Sequence, residues 1–547
     1  MTRAAVAPDA APAPRTAPAH RAAGDPAAGT GGPSLIHEAV ERHAEHRPDA
    51  VALVDGARRV GYAELDAAAD AWAAELLDRG AGPDTFVPVV LPRSATLVAA
   101  LLGVLKTGAA YAALDPGWPV ERLRAVAGML APRVTVAPDP WDGWEGALCS
   151  PSVHGLLPRE AAHRGPGRGA RPPVDGSCPA TVFFTSGTTG RPKAVVSGHR
   201  ATISLFDGSF EPFGPGGVRA PVMPQAAPVS WDGFTLEVWG PLINGGTSVL
   251  LDGGYLLPGT LRALVEREGV DTVWLTASLF HLFVDEDPGC FEGLRHVLTG
   301  GERLSVPRVR AFLDRHPAIE LTNGYGPVET CVFTTARRVR RSDCDVPSGI
   351  PVGDSVPGRR VHILTDDGRP AAPGTTGEIC VSGDGIALGY LGDAELTARM
   401  FPTVTVDGVP TRVYRTGDLG FQDGDGVVHF TGRADRQVKV RGHRVEPEEV
   451  EAVVRTVPGV ADCAVVPVPG ANGGYERLAL FYTDAPAHDP LRPQAVRREL
   501  AARLPRHLVP ELVRRRAALP LTANGKLDRP ALLRALRPGH GTGEDDA

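Results

Sequence analysis

Apolar positions recur at helical spacing through Leu35–His46 and Leu65–Leu77, and gather into short strand-like runs such as Phe86–Val90. The alternation continues to about residue 350, with β-rich apolar runs at Val182–Thr185, Ser248–Leu251 and Thr272–Leu275. It predicts a multidomain α/β and α+β chain whose large N-terminal domain is built of layered α/β sheets. From 345 to 432 the chain breaks into short strands between Gly, Asp and Pro turns (Arg360–Leu364, Glu378–Ser382, Val427–Thr431), which predicts a β-rich, barrel-like module. A smaller α+β segment follows, with helices expected near Glu446–Thr456 and Pro493–Leu504. The expected units are a leader (1–33), a large core (34–432), a hinge (433–436), a small mobile C-terminal domain (437–536) and a polar tail (537–547).

Composition narrows the possibilities. The 547 residues are enough for several domains. Against 64 acidic residues stand 57 basic ones, for a net −7 without a block of like charge, so no nucleic-acid partner is expected. The longest apolar run, Leu97–Leu105, is too short to span a bilayer and is closed by Lys106, so no membrane partner is expected either. Residues 1–33 hold 12 Ala, 6 Pro and 4 Gly with no apolar core like that of a secretory signal, and read as disordered. Seven cysteines, an odd number with no Cys-x-x-Cys pair, point to free thiols and a cytoplasmic location. Only four lysines (Lys106, Lys193, Lys439, Lys526) stand among 53 arginines. Where arginine serves as the general cation, a retained lysine marks a place for a compact ammonium.

Two lookalike motifs fail. His37, His43 and His46 share a helical stretch, but the spacing is not that of a zinc-binding His-Glu-x-x-His. Gly383-Asp384-Gly385 begins a dinucleotide fingerprint that Leu388 breaks. The strongest segment is Thr185-Ser186-Gly187-Thr188-Thr189-Gly190-Arg191-Pro192-Lys193, directly after an apolar strand. Small residues let backbone N–H groups approach phosphate oxygens, hydroxyls add donors, and Lys193 adds charge. Pro192 stands where a Walker loop requires glycine.

This segment resembles the phosphate loop of the adenylate-forming superfamily, which includes acyl-CoA synthetases, firefly luciferase and adenylation domains of non-ribosomal peptide synthetases. Further stretches resemble its motifs in order: Gly61–Leu65, Leu105–Tyr111, Asn323-Gly324-Tyr325-Gly326-Pro327-Val328-Glu329, Tyr414–Asp418, Gly432–Lys439 and Asn524-Gly525-Lys526. The resemblance covers roughly residues 34–536 and implies ATP with Mg²⁺ as cofactors. It assigns ATP and AMP binding to Thr185, Ser186, Gly187, Thr188, Thr189, Gly190, Lys193, Gly301, Glu302, Arg303, Asn323, Gly324, Tyr325, Gly326, Glu329, Asp418, Phe430 and Arg433. Tyr325 offers a flat face to adenine, Glu329 is a hard oxygen ligand for Mg²⁺, and Asp418 can accept both ribose hydroxyls. Asp435 and Lys439 fall in the hinge motif. Lys526 is the implied catalytic residue, an ammonium bridging substrate carboxylate and α-phosphate where two anions must meet. The sequence departs from the family at Val328, Ala194, Leu388 and Pro447, where Thr, Gly, Arg and Leu are usual.

Asp232 falls where amino-acid-activating members carry the partner of the substrate ammonium; as a residue type it would equally cap the following helix. Carried over by position, the rest of the substrate pocket is Gly233, Leu236, Leu275, Leu298, Gly300, Gly324, Val332 and Phe333, closed by Lys526. Such a lining would strip water from a polar side chain without compensation. The expected substrate is a small to medium aliphatic amino acid: valine, leucine, isoleucine or a close analogue, with alanine also open. The acceptor implied is the phosphopantetheine thiol of a separate carrier protein, and some relatives need a small MbtH-like activator. An acyl- or aryl-CoA synthetase and a non-catalytic nucleotide-binding regulator remain the alternatives.

Overall fold

A computed structural model describes residues 34–140, 146–151, 156–157, 172–186, 192–206, 210, 213, 220–435, 437–470, 474–485, 489–520 and 527–536. The leader, the polar tail, residues 187–191 of the phosphate loop and Lys526 lie outside them.

Three sheets build most of the large domain. One of seven strands runs in the order Gly389–Tyr390, Lys193–Gly198, Pro179–Thr185, Ala110–Ala113, Phe86–Val89, Val134–Val136, Ala147–Cys149. A second joins Arg58–Gly61, Val51–Asp55, Thr247–Leu250 and Val222–Gln225. A third sets Thr272–Thr276, His296–Gly300 and Glu320–Tyr325 in parallel, then adds Thr335–Arg338 and Asp354–Ser355 antiparallel. Short apolar runs between helices give these buried parallel strands because both faces are covered. The β-rich module is a four-stranded antiparallel sheet, Arg360–Leu364, Gly377–Ser382, Tyr414–Gln422 and Val428–Arg433. The small domain carries a sheet of its own around the long hairpin Val460–Pro469 and Tyr475–Asp484, packed by helices Pro447–Val454 and Pro493–Arg503.

Parallel strands end on one edge, and that edge places the chemistry. Thr185 ends one strand and Ser186 follows it, while Gly300 and Asn323–Tyr325 end two neighbouring strands of another sheet. No described helix is long and apolar enough to cross a membrane. All seven cysteines are free thiols, as expected from their number.

Helix Ala95–Lys106 runs through the main core and is buried along almost its whole length. Lys106 at its end is not an exposed terminal cation. Its Nζ lies 2.5 Å from Asp66, 2.7 Å from Asp70 and 3.1 Å from Glu41, and only 1% of its side chain is exposed. Burial raises the Asp66 pKa, and the Lys106 charge pulls it back down. One ammonium thus holds three carboxylates together beneath the first two helices. Lys106→Ala leaves them mutually repelling and should cost about 3–5 kcal/mol, the range for breaking a buried pair. Denaturant unfolding at pH 7 measures it; a loss below about 1 kcal/mol contradicts this role.

Candidate functional site

Asp232 stands at the start of helix Gly233–Ile243, yet its carboxylate makes no capping bond. The helix-cap alternative therefore fails. The side chain is buried, and burial pushes its pKa up to about 6, against the pull of the Lys439 ammonium and a backbone hydrogen bond from Val332. A carboxylate kept in such a place without serving the helix is available to a ligand cation.

Leu236, Leu298, Val332, Phe333 and Trp274 share one apolar core with the helix that Asp232 begins. Trp274 pairs with Leu298 in the parallel register, and its ring lies 5.4 Å from that of Phe333 and 6.4 Å from that of Trp231. Leu275 does not join them. One residue further along a strand points to the other face, where Leu275 packs with Val273, Val297 and Leu321. On the face beside Asp232, where Leu275 was expected, stands Trp274, whose indole N–H has no hydrogen-bond partner among the described residues. Gly300 is glycine by necessity, since a Cβ there would sit 1.9 Å from the Gly324 carbonyl oxygen. At Gly324 a Cβ would meet the Phe333 ring at 2.3 Å, and at Gly233 the Trp231 ring at 2.8 Å.

A second group of side chains lies beside this pocket. The Tyr325 hydroxyl donates to Asp418 Oδ2 at 2.5 Å, and Arg433 donates to the other carboxylate oxygen. Burial, reinforced by Asp418, raises the Tyr325 pKa well above its usual value, so the phenol stays neutral. The Phe430 ring lies 6.3 Å from Tyr325. Asn323 is spent on the Pro351 carbonyl at 2.8 Å, and Arg303 on the Ser348 carbonyl at 2.8 Å. Gly301 adopts φ 82°, which favours glycine, and at Gly326 a Cβ would lie 2.6 Å from the Val332 carbonyl. Thr185 Oγ1 is buried with no hydrogen-bond partner among the described residues.

Glu329 is fully buried. It receives the Tyr390 hydroxyl at 2.9 Å and Arg444 Nη1 at 3.1 and 2.9 Å on its two oxygens. Burial opposes its charge, but Arg444 and these bonds hold its pKa below the ordinary value. A hard-oxygen group kept anionic at such depth fits a cation site, and Mg²⁺ is compatible with it.

The family model for the AMP-binding enzyme matches residues 40–391, and that for the AMP-binding enzyme C-terminal domain matches residues 449–526. The chain belongs to the AMP-binding enzyme family. It is 34% identical over 501 residues to a plipastatin synthase subunit of Bacillus subtilis (strain 168), a match spanning 91% of this chain and 19% of that protein. A linear gramicidin synthase subunit of Brevibacillus parabrevis is 35% identical, over 90% of this chain and 6% of its own length. The chain thus spans less than a fifth of either relative. Among solved structures it is similar to holo-PA1221, an NRPS protein containing adenylation and PCP domains bound to a vinylsulfonamide inhibitor. The TM-score is 0.82 at 37% identity, covering 92% of this chain and 84% of that one.

The small domain of this adenylation domain enters the cleft through residues 439–446, and most of that contact was not foreseen from the sequence. Lys439, expected at the hinge, lies half-buried in the field of Asp418 and Asp232; desolvation lowers its pKa while both carboxylates favour its charge. Gly442 N–H donates to Glu302 Oε1 at 2.8 Å, and Ser278 donates to the other oxygen of Glu302. The His443 ring lies 6.1 Å from that of Trp231 and stacks on His507 at 4.5 Å. Asp435 holds Arg433 through two contacts of 2.7 and 2.8 Å, so the expected pivot is tied by a side chain to the residue that also holds Asp418. Arg444 and Glu446 carried no sequence signal, because one arginine among 53 is not conspicuous. The neighbouring Lys439 was the available hint.

Proposed function

We propose that the chain activates a small to medium aliphatic amino acid as its aminoacyl-AMP, releasing pyrophosphate, and then passes the aminoacyl group to the phosphopantetheine thiol of a separate carrier protein. The observation that carries this reading is Asp232, a buried carboxylate free of any capping role and bordered by apolar side chains. Its partner would be the substrate α-ammonium, a charge-assisted contact that acids without an amino group cannot make. Trp274 and Phe333 narrow the pocket more than a leucine would, which favours branched aliphatic side chains.

The chain's own groups divide the work. Tyr325 and Phe430 would hold the adenine, Asp418 the ribose hydroxyls, and Thr185, Ser186 and Lys193 the phosphates. Glu329 would ligate Mg²⁺, which neutralises polyphosphate charge. The substrate carboxylate attacks the α-phosphorus and pyrophosphate leaves, while Lys526 would offset the repulsion between carboxylate and phosphate. Rotation about Asp435 would then exchange Lys526 for the segment around Lys439 and His443, opening the site to the carrier thiol. The holo-PA1221 structure, with its adenylation and PCP domains, supports a carrier as partner; an MbtH-like activator would be an additional one. An acyl- or aryl-CoA synthetase is the second reading, and Asp232 weighs against it.

Asp232→Ala should reduce amino-acid-dependent exchange by about 10²-fold or more, the scale for an unpaired buried charge, and leave des-amino acids far less affected. In the wild type, the apparent KM for the amino acid should rise toward tenfold per pH unit below about 6, as the Asp232 carboxylate takes up a proton. Equal losses for both substrate types, with a flat KM from pH 5 to 8, would remove Asp232 from the substrate site.

The register of the third sheet gives a second test. Trp274→Ala should widen the pocket and shift preference toward larger side chains by about tenfold or more in kcat/KM. Leu275→Ala should leave the preference order intact and cost about 2–5 kcal/mol of stability. The opposite pattern would return Leu275 to the pocket.

A further inference from the structure

Arg359 stands just before strand Arg360–Leu364, and its side chain is almost entirely buried. The guanidinium gathers several backbone segments. Nε donates to the Thr330 carbonyl at 3.2 Å, and Nη2 donates to the carbonyls of Thr330 at 3.1 Å, Cys331 at 3.2 Å and Ala201 at 2.8 Å. Nη1 donates to Ser204 Oγ at 2.8 Å and to the Pro357 carbonyl at 2.9 Å. Room is kept for it, since a Cβ at Gly385 would lie 2.1 Å from Arg359 Nε. A planar fork with five donors suits this task, and a lysine could not reproduce it.

The turn that Arg359 grips is strained. Cys331 and Val332 both lie in the left-handed region, at φ 56° and 65°. That conformation is uncommon for any residue with a Cβ and a true outlier for a β-branched one. It persists only where the surroundings over-determine it, and such residues gather at functional sites. The two strained residues flank one peptide unit. In a trans peptide the C=O and the N–H point in opposite directions. The oxygen of this unit, on Cys331, accepts from Arg359, while its N–H, on Val332, donates to the Asp232 carboxylate. Arg359 therefore stands at one end of a single peptide plane and Asp232 at the other. A cation on the oxygen also polarises the unit and makes its N–H a better donor.

We infer that Arg359 is a positioning residue for substrate recognition: by fixing the Cys331–Val332 peptide it aims the Val332 N–H at Asp232 and so sets that carboxylate for the substrate ammonium. The inference rests on the proposed role of Asp232 and adds what orients it. Removal of the guanidinium leaves the strained turn without its hold. The peptide then relaxes, and Asp232 loses a donor that favours its charge and fixes its direction.

The test is ATP–pyrophosphate exchange by the full chain carrying Arg359→Met, which keeps an apolar stem and removes every donor. The substrates are whichever of valine, leucine and isoleucine drives the strongest exchange in the wild type, and its des-amino acid. The apparent KM for the amino acid should rise about tenfold or more, with kcat, the KM for ATP and exchange with the des-amino acid all within about threefold of the wild type. The pH below which the amino-acid KM climbs should move up from about 6 by about one unit, because a donor to the carboxylate is lost while the charges that face it, Lys439 and Glu329, stay in place. Arg359→Lys, which keeps a cation without the fork, is the second variant and should show the same split at about threefold or more. A KM rise shared equally by the des-amino acid, a fall in kcat at unchanged KM, or wild-type kinetics in both variants would overturn the inference. A wild type with no preference for the amino acid would instead remove Asp232 from the substrate site, and the role of Arg359 would fall with it.

Discussion

The structure depends on how buried carboxylates are paired at one cleft. Asp232, Glu329 and Asp418 are all buried beside the ends of the parallel strands. Each such charge is expensive away from water unless a partner stands beside it. Arg433 of the large domain pairs with Asp418, while the small domain brings Arg444 to Glu329 and Lys439 into the field of Asp232 and Asp418. The domain arrangement is therefore also a charge-neutralising arrangement. In the proposed reaction, ligands that bring an ammonium, a metal and phosphates would supply the same kind of neutralisation from outside.

This constraint connects parts of the fold that are far apart in sequence. The third sheet sets the spacing: Gly300 and Gly324 let adjacent strand ends approach closely, and Trp274 with Phe333 closes the space beside Asp232. Tyr325 reaches from the same sheet to Asp418 on the antiparallel module, joining the two layers through a hydrogen bond. Asp435 then binds Arg433 next to the junction with the small domain. Asp435, the proposed pivot, is thus joined through Arg433 to Asp418.

Much of the large domain was legible in the sequence because apolar periodicity and Gly-rich strand ends are local signals. The segments around Asn323–Tyr325 and Thr185–Ser186, singled out by their residue types, both fall at strand ends. The scarcity of lysine was also a guide: Lys193 and Lys439 lie at the cleft, and Lys106 is the buried centre of a carboxylate cluster. Two kinds of information were not legible. A strand's face reverses with each residue, and the sequence alone does not show that Trp274 joins the core beside Asp232 while Leu275 packs on the opposite face. The pairs Arg444–Glu329 and Glu446–Lys193 span 115 and 253 residues, and nothing local announces them.

If a buried anion beside an apolar pocket selects amino acids with aliphatic side chains, the selection must show in the adenylation step itself. The most direct measurement is ATP–pyrophosphate exchange across a panel of amino acids, each accompanied by its des-amino acid. Strong exchange with one or a few aliphatic amino acids, and little with their des-amino counterparts or with charged and amide side chains, is the predicted result. Exchange driven equally well by acids lacking the amino group, or strongest with a charged side chain, would contradict it.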